Sequence, residues 1–205
     1  MSAYNIELLS IDGKKDIMKE LHGKVVLITN ISSKLGYTPK CSPIWSYART
    51  CKYLKELQII HDKYSQYGFS VIGVPCNQFG KMEPSNNEEI EEFIKKVYSF
   101  ITFPISQKIE VNGKNEHPLF SFLKGKEKRS YSDTTADGTE KAAEGQNLEG
   151  QAIARIPHNY EKFLIGPSGT MIARFNWQDS PLDTEPRVMG AGWTITEAIE
   201  ELLGL

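Results

Sequence analysis

Apolar positions along the chain follow two rhythms. The stretch "KVVLITNIS" is an unbroken β-branched run with no polar alternation, and "FSVIGVPC" is a second. Runs of this kind suit strands covered on both faces. Between them, in "YLKELQIIHDKYSQYG", Leu54, Leu57, Ile60, Tyr64 and Tyr67 fall at helical spacing, and Gly68 is placed to stop the helix. Strand, helix and strand in this order form a βαβ unit. The spacing therefore predicts adjacent parallel strands over 25–32 and 69–75, both inside the sheet.

The same reading extends along the rest of the chain. "YNIELLSIDGKKDIMKEL" predicts two short strands around the turn Asp12-Gly13. "SNNEEIEEFIKKVYSF" predicts a helix capped by Ser85 or Asn86, with Glu88 and Glu89 in a first turn that favours negative charge. "HPLFSFLKG" predicts a short helix, and "KFLIGPSGTMIARF" a hairpin turning at Gly-Pro-Ser-Gly. A closing helix over 194–203 places Ile195, Ile199 and Leu202 on one side. From Lys124 to Arg155 the chain is polar, charged and aperiodic, which predicts a long surface loop. These elements give an α/β domain, a central mixed sheet with helices on both faces.

Composition narrows the function classes. A chain of 205 residues with 40% hydrophobic and 10% aromatic residues can build one substantial core, so a single domain over 1–205 is expected. A formal net charge of −2 supplies no basic face for nucleic acid. No apolar run is long enough to span a membrane, and the N-terminus lacks a secretory pattern. Three cysteines, Cys41, Cys51 and Cys76, are too few for a disulfide framework, and a reducing cytoplasmic setting is expected. With His22, His61, His117 and His158 they form no metal-ligand spacing, and no metal or cofactor is expected.

Four segments carry a resemblance. "GKVVLITNISSKLGYTP", "VIGVPCNQFGKMEPSNNEEI", "VNGKNEHPLFSFL" and "NYEKFLIGPSGTMIARF" together resemble the glutathione peroxidase family, in order along nearly the whole chain. The resemblance implies a thioredoxin-like fold. It also implies reduction of hydrogen peroxide or organic hydroperoxides by glutathione or thioredoxin. In such a site a selenocysteine or cysteine follows the first strand, and a helix N-terminus stabilises its anion. A glutamine, a tryptophan and an asparagine surround it. By resemblance Gln78 and Asn159 take the glutamine and asparagine positions, and His158 stands at the tryptophan position.

The departures are chemical. Leu35 stands at the nucleophile position, with no lone pair to attack with and no proton to lose. The helix after "NEEI" lacks the resolving cysteine of cysteine-using members. The segment "KCSPIWSYARTCK" separates the "GYTP" turn from the helix that ordinarily follows it, so insertions are expected at about 40–52 and 126–155. The resemblance therefore points to a family member that has lost peroxidase activity, leaving its standing as an enzyme open. The alternative is a divergent thiol peroxidase or redox sensor using Cys41 and Cys51, read as thiols in a surface loop. A disulfide between them would be worth about 3 kcal/mol if unstrained.

Further expectations follow. Leu35, Gln78, His158 and Asn159 should surround one shallow depression, with the inserted loop folded over it and anchored by Trp45. Gln78 and Asn159 could equally persist because they pair with backbone groups. Cys76 should be semi-buried.

Overall fold

The computed structural model describes residues 1–34, 48–125, 155–185 and 193–205. A short helix α1 (Ile17–Glu20) precedes strand β1 (Val25–Ile31). Helix α2 (Ala48–Tyr64) and a single 3-10 turn lead to β2 (Phe69–Pro75). Helices α3 (Asn87–Val97) and α4 (Pro118–Gly125) follow, then β3 (Lys162–Ile165), β4 (Met171–Phe175) and α5 (Ile195–Leu203).

The four strands run in the order β2-β1-β3-β4. β1 and β2 are parallel, with Val25 opposite Phe69 and Ile31 opposite Pro75, and every residue of both is buried. β3 is antiparallel to both β1 and β4. The sheet is thus mixed, and alternate β1 side chains serve two separate cores. Val25, Leu27 and Ile31 meet Leu54, Leu57, Ile60, Ile90, Ile195 and Ile199 on one face. Val26 and Ile28 meet Ile17, Met18, Leu119, Phe120 and Leu123 on the other. At roughly 1.5–3 kcal/mol per buried large side chain, these two layers are the main stabilising term.

The helix signals act as their sequence implies. Asn86 and Glu89 close a reciprocal cap on α3, and Thr194 with Glu197 does the same on α5. Gly68, at φ 94°, ends the turn after α2 in a left-handed conformation that a side chain would oppose. Gly73 serves packing instead: a Cβ there would lie 2.7 Å from Ile105 Cδ1.

Four expectations need correction. β2 lies at one end of the strand order rather than inside it. Its outer edge is covered by the extended segment through Ile105, since Gly73 N–H donates to Pro104 and Ser106 N–H to Gly73. The N-terminal segment forms no strand pair. It makes two isolated bridges, Leu9 with Asp16 and Ser10 with Ser106, and Asp16 then caps α1 by accepting from the N–H groups of Met18 and Lys19. Tyr67 leaves the buried face because the helix tightens before it, and it is 52% exposed. Cys51 lies within α2 rather than in a loop. Local spacing continues the helix back through it, three residues before Leu54, so it packs half-buried against the core.

Candidate functional site

The C-terminal ends of β1 and β2 point to one end of the sheet, where the chain leaves β1 through Ser32, Ser33 and Lys34. That exit is held from several sides. Glu83, fully buried, accepts from Ser33 N–H at 2.5 Å and from Ser33 Oγ–H at 3.0 Å. Ser32 Oγ donates to the Met82 carbonyl, and Lys34 Nζ to Ser85 Oγ at 2.5 Å. Lys108 reaches the carbonyls of Glu83, Pro84 and Ser85. From other elements, Tyr98 and Tyr160 donate to the carbonyls of Ser33 and Ser32. Burial raises the Glu83 pKa, opposed by the Ser33 hydrogen bonds and by the Lys34 and Lys108 charges. Leu35 itself, with Cys41 and Trp45, lies outside the described residues, as does the expected lid.

Gln78 follows the C-terminal end of β2. Its Oε1 accepts from the N–H groups of Val111 and Asn112, both at 2.9 Å, and its Nε2 donates to the Asn112 carbonyl at 2.8 Å. Cys76 Sγ lies 3.7 Å from the same Oε1. This thiol is fully buried rather than half-buried, and desolvation pushes its pKa up. A protonated, inaccessible thiol is a poor nucleophile.

The segment 158–162 enters β3 at the same end of the sheet. Here Asn159 is fully buried, and neither Oδ1 nor Nδ2 has a hydrogen-bond partner. Leaving such a carboxamide unpaired costs roughly 1–3 kcal/mol per group. The expectation that Asn159 persists to satisfy backbone groups is therefore overturned, whereas for Gln78 it holds. The next residue, Tyr160, adopts φ 70°, a left-handed conformation uncommon for an aromatic side chain. It is held there by Tyr160 N–H donating to the Asn30 carbonyl at 2.6 Å, and by Tyr53 stacked at 4.5 Å. His158 is half-buried, with its ring stacked on Trp177 at 4.7 Å between centroids. An indole thus lies against the position where the resemblance leads one to look for it, contributed by a different segment.

Asn112 links Gln78 to the segment that leads to His158. Its main chain bonds to Gln78, while its side chain donates to the Ile156 carbonyl and accepts from Ile156 N–H, two residues before His158. Sequence reasoning missed Asn112, Glu83, Lys162 and Trp177. Glu83 sits in the quoted "KMEPS" and could have been found as an acid amid residues of a buried turn. Nothing in the sequence points from Trp177 to His158.

Buried charges flank the start of β3. Glu161 pairs with Arg174 at 2.7 Å, both nearly inaccessible. Lys162, the first residue of β3 and 1% exposed, donates to the carbonyls of Tyr160, Asn176 and Trp177 at 2.8, 3.2 and 3.4 Å. Among the described residues no cluster of histidine, cysteine and carboxylate groups could hold a metal ion. No described helix is long and apolar enough to cross a membrane.

Strand order, helices on both faces and a site at the strand ends define a thioredoxin-like α/β protein. Solved structures agree. The crystal structure titled Trgpx in apo form superposes with a TM-score of 0.61 at 24% identity, covering 100% of this chain and 97% of that one. Residues 3–124 match the family described as glutathione peroxidase. The glutathione peroxidase-like peroxiredoxin HYR1 of Saccharomyces cerevisiae is 34% identical over 98% of this chain and 95% of its own length. A probable mitochondrial glutathione peroxidase 3 of Arabidopsis thaliana is 35% identical over 92% of this chain and 75% of its own. The chain belongs to the glutathione peroxidase family.

Proposed function

We propose that this protein keeps the family's fold but does not reduce peroxide through the family's strand-end nucleophile. One observation carries the reading: Leu35 stands in "SSKLGYTP", where a thiol or selenol is required. Peroxide reduction needs a thiolate to attack one peroxide oxygen. The O–O bond breaks, a sulfenic acid forms, and water or an alcohol leaves with a proton. A hydrocarbon side chain offers no electron pair for that step.

The described residues supply no obvious replacement. Cys76 is sealed and protonated. Gln78 is committed to main-chain partners. Cys51 packs half-buried against the core along α2, a poorer setting for a redox thiol than an open loop. The remaining capacity is binding. The Gln78, His158 and Asn159 positions belong to a single-domain scaffold, with added segments at about 40–52 and 126–155. Any activity that persists would draw on glutathione or thioredoxin, in a reducing cytoplasmic setting.

Hydrogen peroxide consumption by the pure protein, with glutathione and with thioredoxin in parallel, is the direct test. The expected result is negligible turnover with either donor. Leu35→Cys should introduce a thiol that consumes peroxide, though slowly. Robust turnover by the unaltered protein rejects this reading. In that case intact mass after peroxide treatment identifies the alternative: a loss of two hydrogens, abolished by Cys41→Ser, assigns the chemistry to the Cys41/Cys51 pair.

A further inference from the structure

Lys162 is a buried cation whose hydrogen-bond partners are all main-chain oxygens. They come from two places. Tyr160 belongs to the strained segment after Asn159, and Asn176 and Trp177 belong to the turn that leaves β4. The Trp177 indole is stacked on His158. One ammonium thus ties together the main chain on both sides of the ring stack, next to the unpartnered Asn159 carboxamide. We propose that Lys162 is a positioning residue that holds Trp177 against His158, and that its ammonium form is the closed state of a latch on the 158–159 segment. This inference rests on the ring stack and the three carbonyls, and it stands whether or not the protein reduces peroxide.

The charge is what makes the latch conditional. An ammonium has three N–H donors for three carbonyls. A neutral amine has two, plus a lone pair that repels the third carbonyl. Losing the proton therefore frees at least one of the three. Desolvation lowers the Lys162 pKa from 10.5 to about 8, and four carboxylates resist the shift. Glu161 immediately precedes β3 and is already paired with Arg174; Glu56 comes from α2, with its Oε1 3.7 Å from Lys52 Nζ; Asp179 and Asp183 follow β4. The sign of the linkage matters. With its pKa below the unfolded value, this group makes the folded chain hold fewer protons than the unfolded one between about 8 and 10.5, and its contribution to stability rises with pH across that window. The latch therefore opens within a folded protein rather than by unfolding it.

Trp177 is its own reporter once Trp45→Phe and Trp193→Phe remove the other two tryptophans. Emission and acrylamide quenching would be followed from pH 7 to 9.5, with circular dichroism confirming that the chain stays folded. The expected result is a red shift and greater quenching with a midpoint near pH 8, absent in Lys162→Met, whose Trp177 is already accessible at pH 7. His158→Phe should retain the transition. Its loss there would assign the event to the imidazole and overturn the proposal. Should Lys162→Met fail to fold, NMR of 13Cε-labelled lysine in the unaltered chain decides. One lysine titrating in step with Trp177 supports the latch; none titrating below pH 9, or no Trp177 transition, overturns it.

Discussion

Two carboxamides face the same end of the sheet and have opposite surroundings. Gln78 has its oxygen and nitrogen engaged with the main chain of residues 111–112. Asn159 is more deeply buried and has neither engaged. The surroundings of Gln78 are closed on themselves and need no ligand to explain them. The surroundings of Asn159 hold an unpaid desolvation cost, a left-handed tyrosine and two buried charged residues in succession. Uncompensated polar burial and backbone strain that the rest of the structure enforces are where function is sought first. The difference teaches that similar residue types at one end of a sheet can have unlike surroundings, one tied into the architecture and one left with its polar atoms unengaged.

The comparison can be broken most severely through the charges that flank the start of β3. Arg174→Met removes the guanidinium that pairs with the buried Glu161 carboxylate and should cost about 3–5 kcal/mol in urea unfolding. If the cost is under about 1 kcal/mol, the 158–162 segment is not held by that pair. Next in size is Gln78→Ala. It strips the acceptor from two part-buried N–H groups and should cost roughly 1–3 kcal/mol. Asn159→Leu should do the opposite, leaving stability unchanged or raising it by about 1 kcal/mol, because it removes two unpaired polar atoms. Equal losses at Gln78 and Asn159 would erase the contrast between the two.

The smallest effect concerns the turn between them. Burial raises the Glu83 pKa, so the folded chain holds this proton more tightly than the unfolded one. The stability it contributes is full below the unfolded carboxyl range and declines as pH rises through the folded value. The thermal midpoint of Glu83→Gln relative to the unaltered protein should therefore improve from pH 4.5 to 7. A flat difference would mean that Glu83 titrates normally.

How much of this was legible in advance depends on the range of the forces involved. The runs that became β1 and β2 announced themselves, because burial on both faces leaves no room for polar alternation. Asn86 and Thr194 likewise cap helices through bonds within three residues, which a sequence displays directly. Cys51 was misplaced because the expected family boundary was given more weight than the local helical period. The positions of Gln78, His158 and Asn159 were readable from resemblance, but their surroundings were not. Whether a carboxamide finds partners depends on main chain brought in from residues 111–112 or from beyond β4. No local pattern encodes that Trp177 rests on His158, or that a lysine inside an apolar "KFLI" strand turns its charge to three carbonyls.

The strand order also has a consequence for how the chain assembles. β1 pairs on one side with β2, which follows after one helix, but on the other side Val26 meets Ile165, most of the chain away. During synthesis the parallel pair can therefore form early, while the opposite edge of β1 waits, bare and β-branched, for the hairpin. The same hairpin turn then receives the N-terminus, where Ala3 N–H donates to the Gly169 carbonyl. Contacts of such long sequence separation slow folding and prolong the exposure of unpaired edges. A chain truncated before β3 should be an aggregating fragment rather than a smaller domain, and the nascent protein a natural client for chaperones until its last quarter has emerged.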